Sequence, residues 1–460
     1  MDKTHALLIP HPKLHTQMSS SAVNGKDKIA LLIYNKIILG YIKPGFIYRH
    51  FVQKKQNIVI RFGCHGNPRE FRITNGEKMI IPKEFHGEVE TLKDLISQSK
   101  VTFLIGAGCS KCAGLASTKD LKDHVLVSKS SRKTKAILNY LRRNLGDATI
   151  EDYLSELADI ISIVERRCNC NSDQREIILN RVHYSKDELK QALEEIKRAI
   201  VQCLKPKDID ILTHRKFIRA LHTKLKASDR ISSPTIDYFL LNYDNLVEDA
   251  LALECIPYTD GFRGGTTGWW DPCLLDLHSQ DHGFNKPVDI AARVVKVHGS
   301  IDWCLLDGES IPRRASPNLL GNGQLTNVMI WPAATKYRET QNDPYAQMIA
   351  ILRDTLHPLS GEGSEVVLII CGYSFGDSHI NFEIDRALRE SNQKLTVLVF
   401  SSEDEPTGIL KKWTADPEVR TQVRIHSNRG FFHGENQKRS SEELLWWRFE
   451  LLTQLLSGEQ

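Results

Sequence analysis

No stretch of the 460-residue chain approaches the roughly 20 consecutive apolar residues that a membrane-spanning helix requires. Met1–His5 lacks a basic flank, and Ala6–Ile9 is too short for the apolar core of a secretory signal, so a cytoplasmic protein is expected. Ten cysteines in so long a chain do not build the disulfide framework of a small secreted domain, and reduced thiols are expected. Cys109 and Cys112 form a C-x-x-C without the second pair that a structural zinc site needs, so no metal is expected. There is no internal repeat and no low-complexity tract. The apolar fraction of 41% and the charged fraction of 26% are those of an ordinary globular protein, and the length suggests about two to four domains.

The net charge of +4 is unevenly distributed. Residues 1–90 carry fourteen Lys and Arg against seven Asp and Glu, so the remainder of the chain is slightly acidic. A basic module can prefer nucleic acid or an acidic protein, although a solvated β surface accounts for the same charge. This segment reads as β-rich, with short runs at Ile29–Tyr34, Phe46–Val52, Ile58–Phe62 and Glu70–Thr74 broken by Pro- and Gly-containing turns.

Beyond it, Thr102–Ile105 reads as a buried strand. Residues 118–228 then turn helical, with apolar spacings of three and four at Ile150–Val164, Glu176–Val182 and Glu188–Leu204, and form an insert. After Pro234 strands and helices alternate. The strands are Thr235–Leu241, Ala292–Val297, Val328–Trp331, Glu365–Ile370 and Leu395–Phe400; the helices are Asn245–Leu253, Pro344–Leu356 and Ser378–Arg389. Alternation of this kind predicts an α/β fold, a Rossmann-like doubly wound parallel sheet covered on both faces. The expected domains are therefore a β-rich module at 1–90, a nucleotide-binding domain at 91–430 containing the helical insert, and a terminal helix at 431–460, centred on Ser440–Leu456.

Four strand ends carry the chemistry. Gly106-Ala107-Gly108-Cys109-Ser110 follows the first strand, and glycines there let backbone N–H groups approach a pyrophosphate. The third glycine of the dehydrogenase fingerprint would fall at position 111, which is Lys111, so hydride transfer fits poorly. Asn242 and Asp244 end the next strand, His298 the one after, and Cys371-Gly372-Tyr373-Ser374-Phe375-Gly376-Asp377 a later one. Taken singly, each has a bland reading: a strand–helix turn, a helix cap, a core histidine. Their joint placement at strand ends, where open α/β sheets bind ligands, favours a nucleotide site containing a proton acceptor.

In this order the motifs Gly-Ala-Gly-x-Ser, Asn-Tyr-Asp, His-Gly-Ser and Gly-Tyr-Ser-Phe-Gly-Asp resemble the sirtuin superfamily. More narrowly they resemble the bacterial sirtuin-like NAD hydrolases of antiphage defence, a branch also resembled at Asp260-Gly261-Phe262, Trp331-Pro332 and Lys336-Tyr337. The resemblance covers about residues 95–405. The zinc ribbon of the deacylases is missing, since only Cys304 and Cys371 lie between His298 and Gly372, and Ala116–Lys119 stands where deacylases carry Asp-Phe-Arg. Leu240 and Leu241 precede Asn242 where relatives often have threonines.

The resemblance implies NAD+ as substrate and no metal. It implies His298 as general base, Asn242 positioning water and ribose, and Asp244 bracing the loop. Gly106, Ala107, Gly108, Ser110, Gly372, Ser374 and Asp377 would hold the dinucleotide, with Ser401, Ser402 and Glu403 near the adenosine ribose. The expected partners are a second copy of the chain and an activator, either a HerA-type ATPase or a phage component. A silent NAD or ADP-ribose sensor and an NAD-dependent deacylase are the alternatives.

Overall fold

A computed structural model of the chain describes residues 48–54, 57–62, 69–74, 81–116, 118–170, 175–205, 208–227, 235–276, 290–306, 309, 311–315, 327–330, 344–357 and 365–458. The chain divides into two compact units, 1–78 and 79–460. In the first, Tyr48–Lys54, Asn57–Phe62 and Arg69–Thr74 pair antiparallel as a three-stranded sheet. The expected strand at Ile29–Tyr34 lies outside the described residues.

The second unit is built on a nine-stranded sheet. In chain order its strands are Lys100–Ile105 (β1), Ile236–Leu240 (β2), Tyr258–Thr259 (β3), Ala292–Lys296 (β4), Val366–Cys371 (β5), Leu395–Phe400 (β6), Val423–Ser427 (β7), Gly430–His433 (β8) and Asn436–Arg439 (β9). Their spatial order is β9-β8-β7-β6-β5-β1-β2-β4-β3. All pairs from β7 to β3 are parallel, and β8 and β9 extend the sheet as an antiparallel hairpin.

The central strands are apolar along their whole length because helices cover both faces. Leu104, Leu368 and Ile370 face one core with the helices Tyr345–Leu356, Ser378–Glu390 and Gly408–Ala415. Phe103, Ile105, Val367 and Ile369 face the other, with His86–Gln98, Leu212–Ala227, Leu246–Leu253 and Phe449–Ser457. This is a doubly wound α/β fold of the Rossmann-like kind. From β1 the chain builds outward through β2 and β4 on one side, then returns to build β5, β6 and β7 on the other. The strand order therefore reverses between β1 and β5, the point at which such sheets open a ligand crevice.

Several elements differ from the sequence reading. The strand Asn327–Ile330 is not in the parallel sheet: it pairs antiparallel with Gly299–Leu305 in a separate five-stranded sheet. The chain enters that sheet immediately after His298 through Gly299, whose φ of +88° is the left-handed region that glycine tolerates best. Within the helical block, Glu176–Val182 is not a helical turn. Ile177–Leu179 and Val182–Tyr184 form a hairpin, because Asn180 and Arg181 both take positive φ, as a two-residue primed turn demands. The terminal helix is shorter than expected: Leu445–Trp447 is a 3-10 turn, and the α-helix begins at Phe449.

The block's remaining helices, Arg132–Leu145, Ile150–Asn169 and Lys186–Cys203, share a core of their own around Leu138, Leu157 and Ile196. The helix Ile150–Asn169 starts with a capping box between Thr149 and Asp152, and Lys186–Cys203 with one between Ser185 and Glu188. Among the described residues no helix is long and apolar enough to cross a membrane.

Candidate active site

The register of the sheet brings the strand ends into one row. Phe400, Cys371, Ile105, Leu240 and Lys296 are successive cross-strand neighbours on β6, β5, β1, β2 and β4. Gly372 and Gly106 each lie one residue past that row. Asn242 and His298 each lie two residues past it, on neighbouring strands.

At the point of strand-order reversal the two glycine loops lie in backbone contact. Gly106 donates its N–H to the Cys371 carbonyl and Gly108 to the Gly372 carbonyl, each at 2.9 Å. A Cβ at Gly106 would stand 2.4 Å from the Gly372 oxygen. Gly372 has a φ of +65°, and a Cβ there would meet the Cys109 nitrogen at 2.5 Å. Only glycine allows this approach. The segment after β1 differs from the expected α-helix: Ala107–Ala113 is a 3-10 helix, and the next α-helix begins at Thr118. The loop amides, rather than an aligned helix dipole, are then what the crevice offers to phosphate.

The loop after β5 is internally tied. The Tyr373 hydroxyl donates to the Asp377 carbonyl at 3.1 Å and accepts from the Asp377 N–H at 3.0 Å. Asn381 holds the Phe375 carbonyl at 2.8 Å. These bonds offset the positive φ of Phe375 (58°), a strained conformation for an aromatic residue. Ser374 is exposed and Asp377 half-buried on the same loop.

Ser110, Asn242 and Asp244 form one buried hydrogen-bonded chain. The Ser110 hydroxyl donates to Asp244 Oδ2 at 2.7 Å and accepts from Asn242 Nδ2 at 2.8 Å. This order fixes the carboxamide: the hydroxyl's one proton goes to the carboxylate, so Asn242 must present its NH₂ and keep Oδ1 as an acceptor. That Oδ1 is buried and has no hydrogen-bond partner among the described residues. The other Asp244 oxygen accepts the Leu246 N–H at 3.2 Å, at the start of the following helix. Ser110 is thus engaged beneath the loop, where the sequence reading had it holding phosphate.

His298 is 2% exposed, and its ring faces that of His379, with centroids 5.5 Å apart. Sequence reasoning missed His379; its place two residues after Asp377 was the available signal. It also missed Lys296, whose ammonium lies under the Asn242–Asp244 loop, 2.9 Å from Glu248. Burial pushes the Glu248 carboxyl up to about 7 although Lys296 pulls it down.

Other groups stand apart from this chemistry. Burial and contact with Cys371 push the Cys109 thiol well up, and burial takes Cys112 to about 12, so both are neutral thiols. Glu403 lies exposed past β6 and takes a hydrogen bond from Thr407. A cavity of about 580 Å³ opens at the opposite edge of the sheet, beside Lys100 and Arg293 at strand beginnings. There Arg293 is engaged by Asp237 (2.7 Å), the Leu275 carbonyl (2.9 Å) and Thr355 (2.8 Å), and none of the expected site residues reaches it. Among the described residues no group of three or more His, Cys, Asp or Glu is placed to hold a metal ion.

Residues 237–421 match the family model of the SIR2-like domain. SIR2-like domains bind NAD+ as substrate, which gives the crevice its ligand class. The SIR2-like match spans Asn242, Asp244, His298, Gly372, Ser374, Asp377 and Glu403, while β1 and the Gly106–Ser110 loop precede it. Trp331-Pro332 and Lys336-Tyr337 fall within the match but outside the described residues. No curated protein matches the chain.

Proposed function

We propose that the protein is an NAD+ hydrolase, releasing nicotinamide and leaving ADP-ribose in linear or cyclic form. The observation that carries this reading is the buried Ser110–Asn242–Asp244 chain, which ends in an unengaged carboxamide oxygen one strand from His298. The nicotinamide of NAD+ departs as a neutral base from an already cationic ring, so the reaction needs no general acid. It needs a held ribose, support for positive charge developing on the sugar, and a nucleophile.

The residues present fit those needs. Asn242 Oδ1 accepts a hydrogen bond from water or a ribose hydroxyl, and Ser110 keeps it from rotating. His298 takes the proton of the attacking hydroxyl. Asp244 places negative charge beside the sugar while its own two oxygens stay fixed. Gly106, Ala107, Gly108 and Gly372 let the pyrophosphate approach the backbone, with Ser374 and Asp377 at the rim and Glu403 on the adenosine side.

The resemblance to antiphage NAD hydrolases extends the proposal to abortive defence in the cytoplasm. Activation would come from a HerA-type ATPase, a phage component or self-association through the helical block, the basic module or the terminal helix. Incubating purified protein with NAD+, alone and with neighbouring gene products, and separating nicotinamide, ADP-ribose and cyclic ADP-ribose tests the reading. Nicotinamide release matching NAD+ loss supports it. NAD+ that binds under every condition without being cleaved leaves a nucleotide sensor instead.

A further inference from the structure

Lys296 ends β4 on the sheet face that also carries Val294, and only 2% of its surface is exposed. Burial of an ammonium works to lower its pKa, but Glu248, Asp302 and Asp244 outweigh burial and hold it charged. A charged lysine this deep is costly unless every donor direction is met. Its ammonium contacts Glu248 Oε1 at 2.9 Å, donates to the Asp244 carbonyl and reaches the Tyr243 carbonyl at 3.4 Å. Two of the three acceptors are therefore main-chain oxygens of the loop carrying Asn242 and Asp244. The third sits in the first turn of the helix that follows that loop. Two residues further along the lysine's own strand comes His298.

We propose that Lys296 is a positioning residue for the reaction. It clamps the 242–244 loop from beneath by its carbonyl oxygens, with Glu248 fixing the ammonium, so that Asn242 and Asp244 keep their alignment with His298. An apolar side chain would fill the same volume, yet it would leave the two carbonyls without this donor. The proposal rests on the NAD+ hydrolase reading.

Three variants test it: Lys296→Met, Glu248→Gln and the double variant Lys296→Met/Glu248→Leu. With the loop released, kcat for NAD+ in Lys296→Met is expected to fall about 10²-fold, with KM shifted less than about three-fold. Hydrogen exchange at the amides of residues 242–246 should quicken in parallel. Glu248→Gln keeps the donor to both carbonyls and should lose less than about ten-fold in kcat. The double variant removes the buried charges together, so its melting temperature should return toward that of the wild type while kcat stays low.

A double variant with wild-type kcat, or Lys296→Met within about two-fold of wild type, would overturn the proposal. If Lys296→Met alone does not fold, the double variant decides. A wild-type protein that never cleaves NAD+ ends the hydrolase reading. In that case amide exchange still tests the clamp, and unchanged exchange at 242–246 in the double variant would refute it.

Discussion

The side-chain amide of Asn242 and the hydroxyl of Ser110 meet at 2.8 Å, although 132 residues and the whole helical block separate them in the chain. The bond joins the ends of β1 and β2 and sets which face of the carboxamide looks into the crevice. Its removal can be tested from either side.

Asn242→Ala leaves Ser110 still donating to Asp244, so the fold should survive while NAD+ cleavage is nearly abolished. His298→Ala should likewise lose ~10²–10⁴-fold in turnover, as a missing general base does. Ser110→Ala is different. It strips a partner from two buried groups at about 1–3 kcal/mol each, and should lower both melting temperature and turnover. Circular dichroism with a nicotinamide-release assay separates these outcomes; near-normal turnover in both Asn242→Ala and His298→Ala would mean the site is misassigned.

Gly372→Ala places a methyl group against the Cys109 nitrogen and holds alanine at a φ of +65°. The left-handed conformation alone costs about 1–2 kcal/mol. The two glycine loops must then separate, so ADP-ribose affinity, measured by calorimetry, should drop before the fold melts. Unaltered affinity would show that the phosphates are held elsewhere.

Stability should fall at mildly acidic pH. Burial, helped by Arg424, pushes His426 down to about 3, and burial pushes His214 down to about 4 against the pull of Asp244 and Asp210. The unfolded chain takes up protons on these residues near pH 6.5, whereas the folded chain does not, so the unfolded state binds more protons between those limits. The stabilisation is complete above pH 6.5 and is lost as the pH drops toward 4, at up to about 1.4 kcal/mol per pH unit for each histidine. Urea midpoints at pH 7.5 and 5 should diverge for the wild type and converge partly in His426→Leu. Equal pH sensitivity in the two proteins would assign the acid response to other groups.

In cells, expression of the protein with its activator should deplete NAD+ and arrest growth, and His298→Ala should remove both effects together. Cleavage of an activated glycosidic bond is effectively irreversible and draws on a pool every cell requires. Growth arrest at constant NAD+ would point to the sensor reading.

The sheet was legible because strands buried on both faces are written as unbroken apolar runs, as in Val366–Cys371. Those runs also located the crevice, since polar residues follow each of them. What alternation cannot tell is which sheet a strand joins, and the strand at 327–330 was misread for that reason. Asn180 and Arg181 made a turn from a pair that is not the usual Asn-Gly, so their hairpin read as helix. The edge hairpin of β8 and β9 was missed because Asn436–Arg439 is polar throughout. Lys296 could have been found: a lysine inside an apolar run that ends at a catalytic histidine has few bland explanations.

Tyr243 separates Asn242 from Asp244, yet its ring belongs elsewhere. It is buried with Ile301 among the side chains of the helical block, and its hydroxyl donates to Glu151 at 3.1 Å in the first turn of Ile150–Asn169. A packed core moves as a body and does not absorb displacement by compression. The block and the loop therefore share a single pin, and a small rotation of one is felt by the residues on either side of the pin in the other. Such a linkage gives a remote surface leverage over the crevice: whatever grips the outer helices of the block has a handle on Asn242 and Asp244.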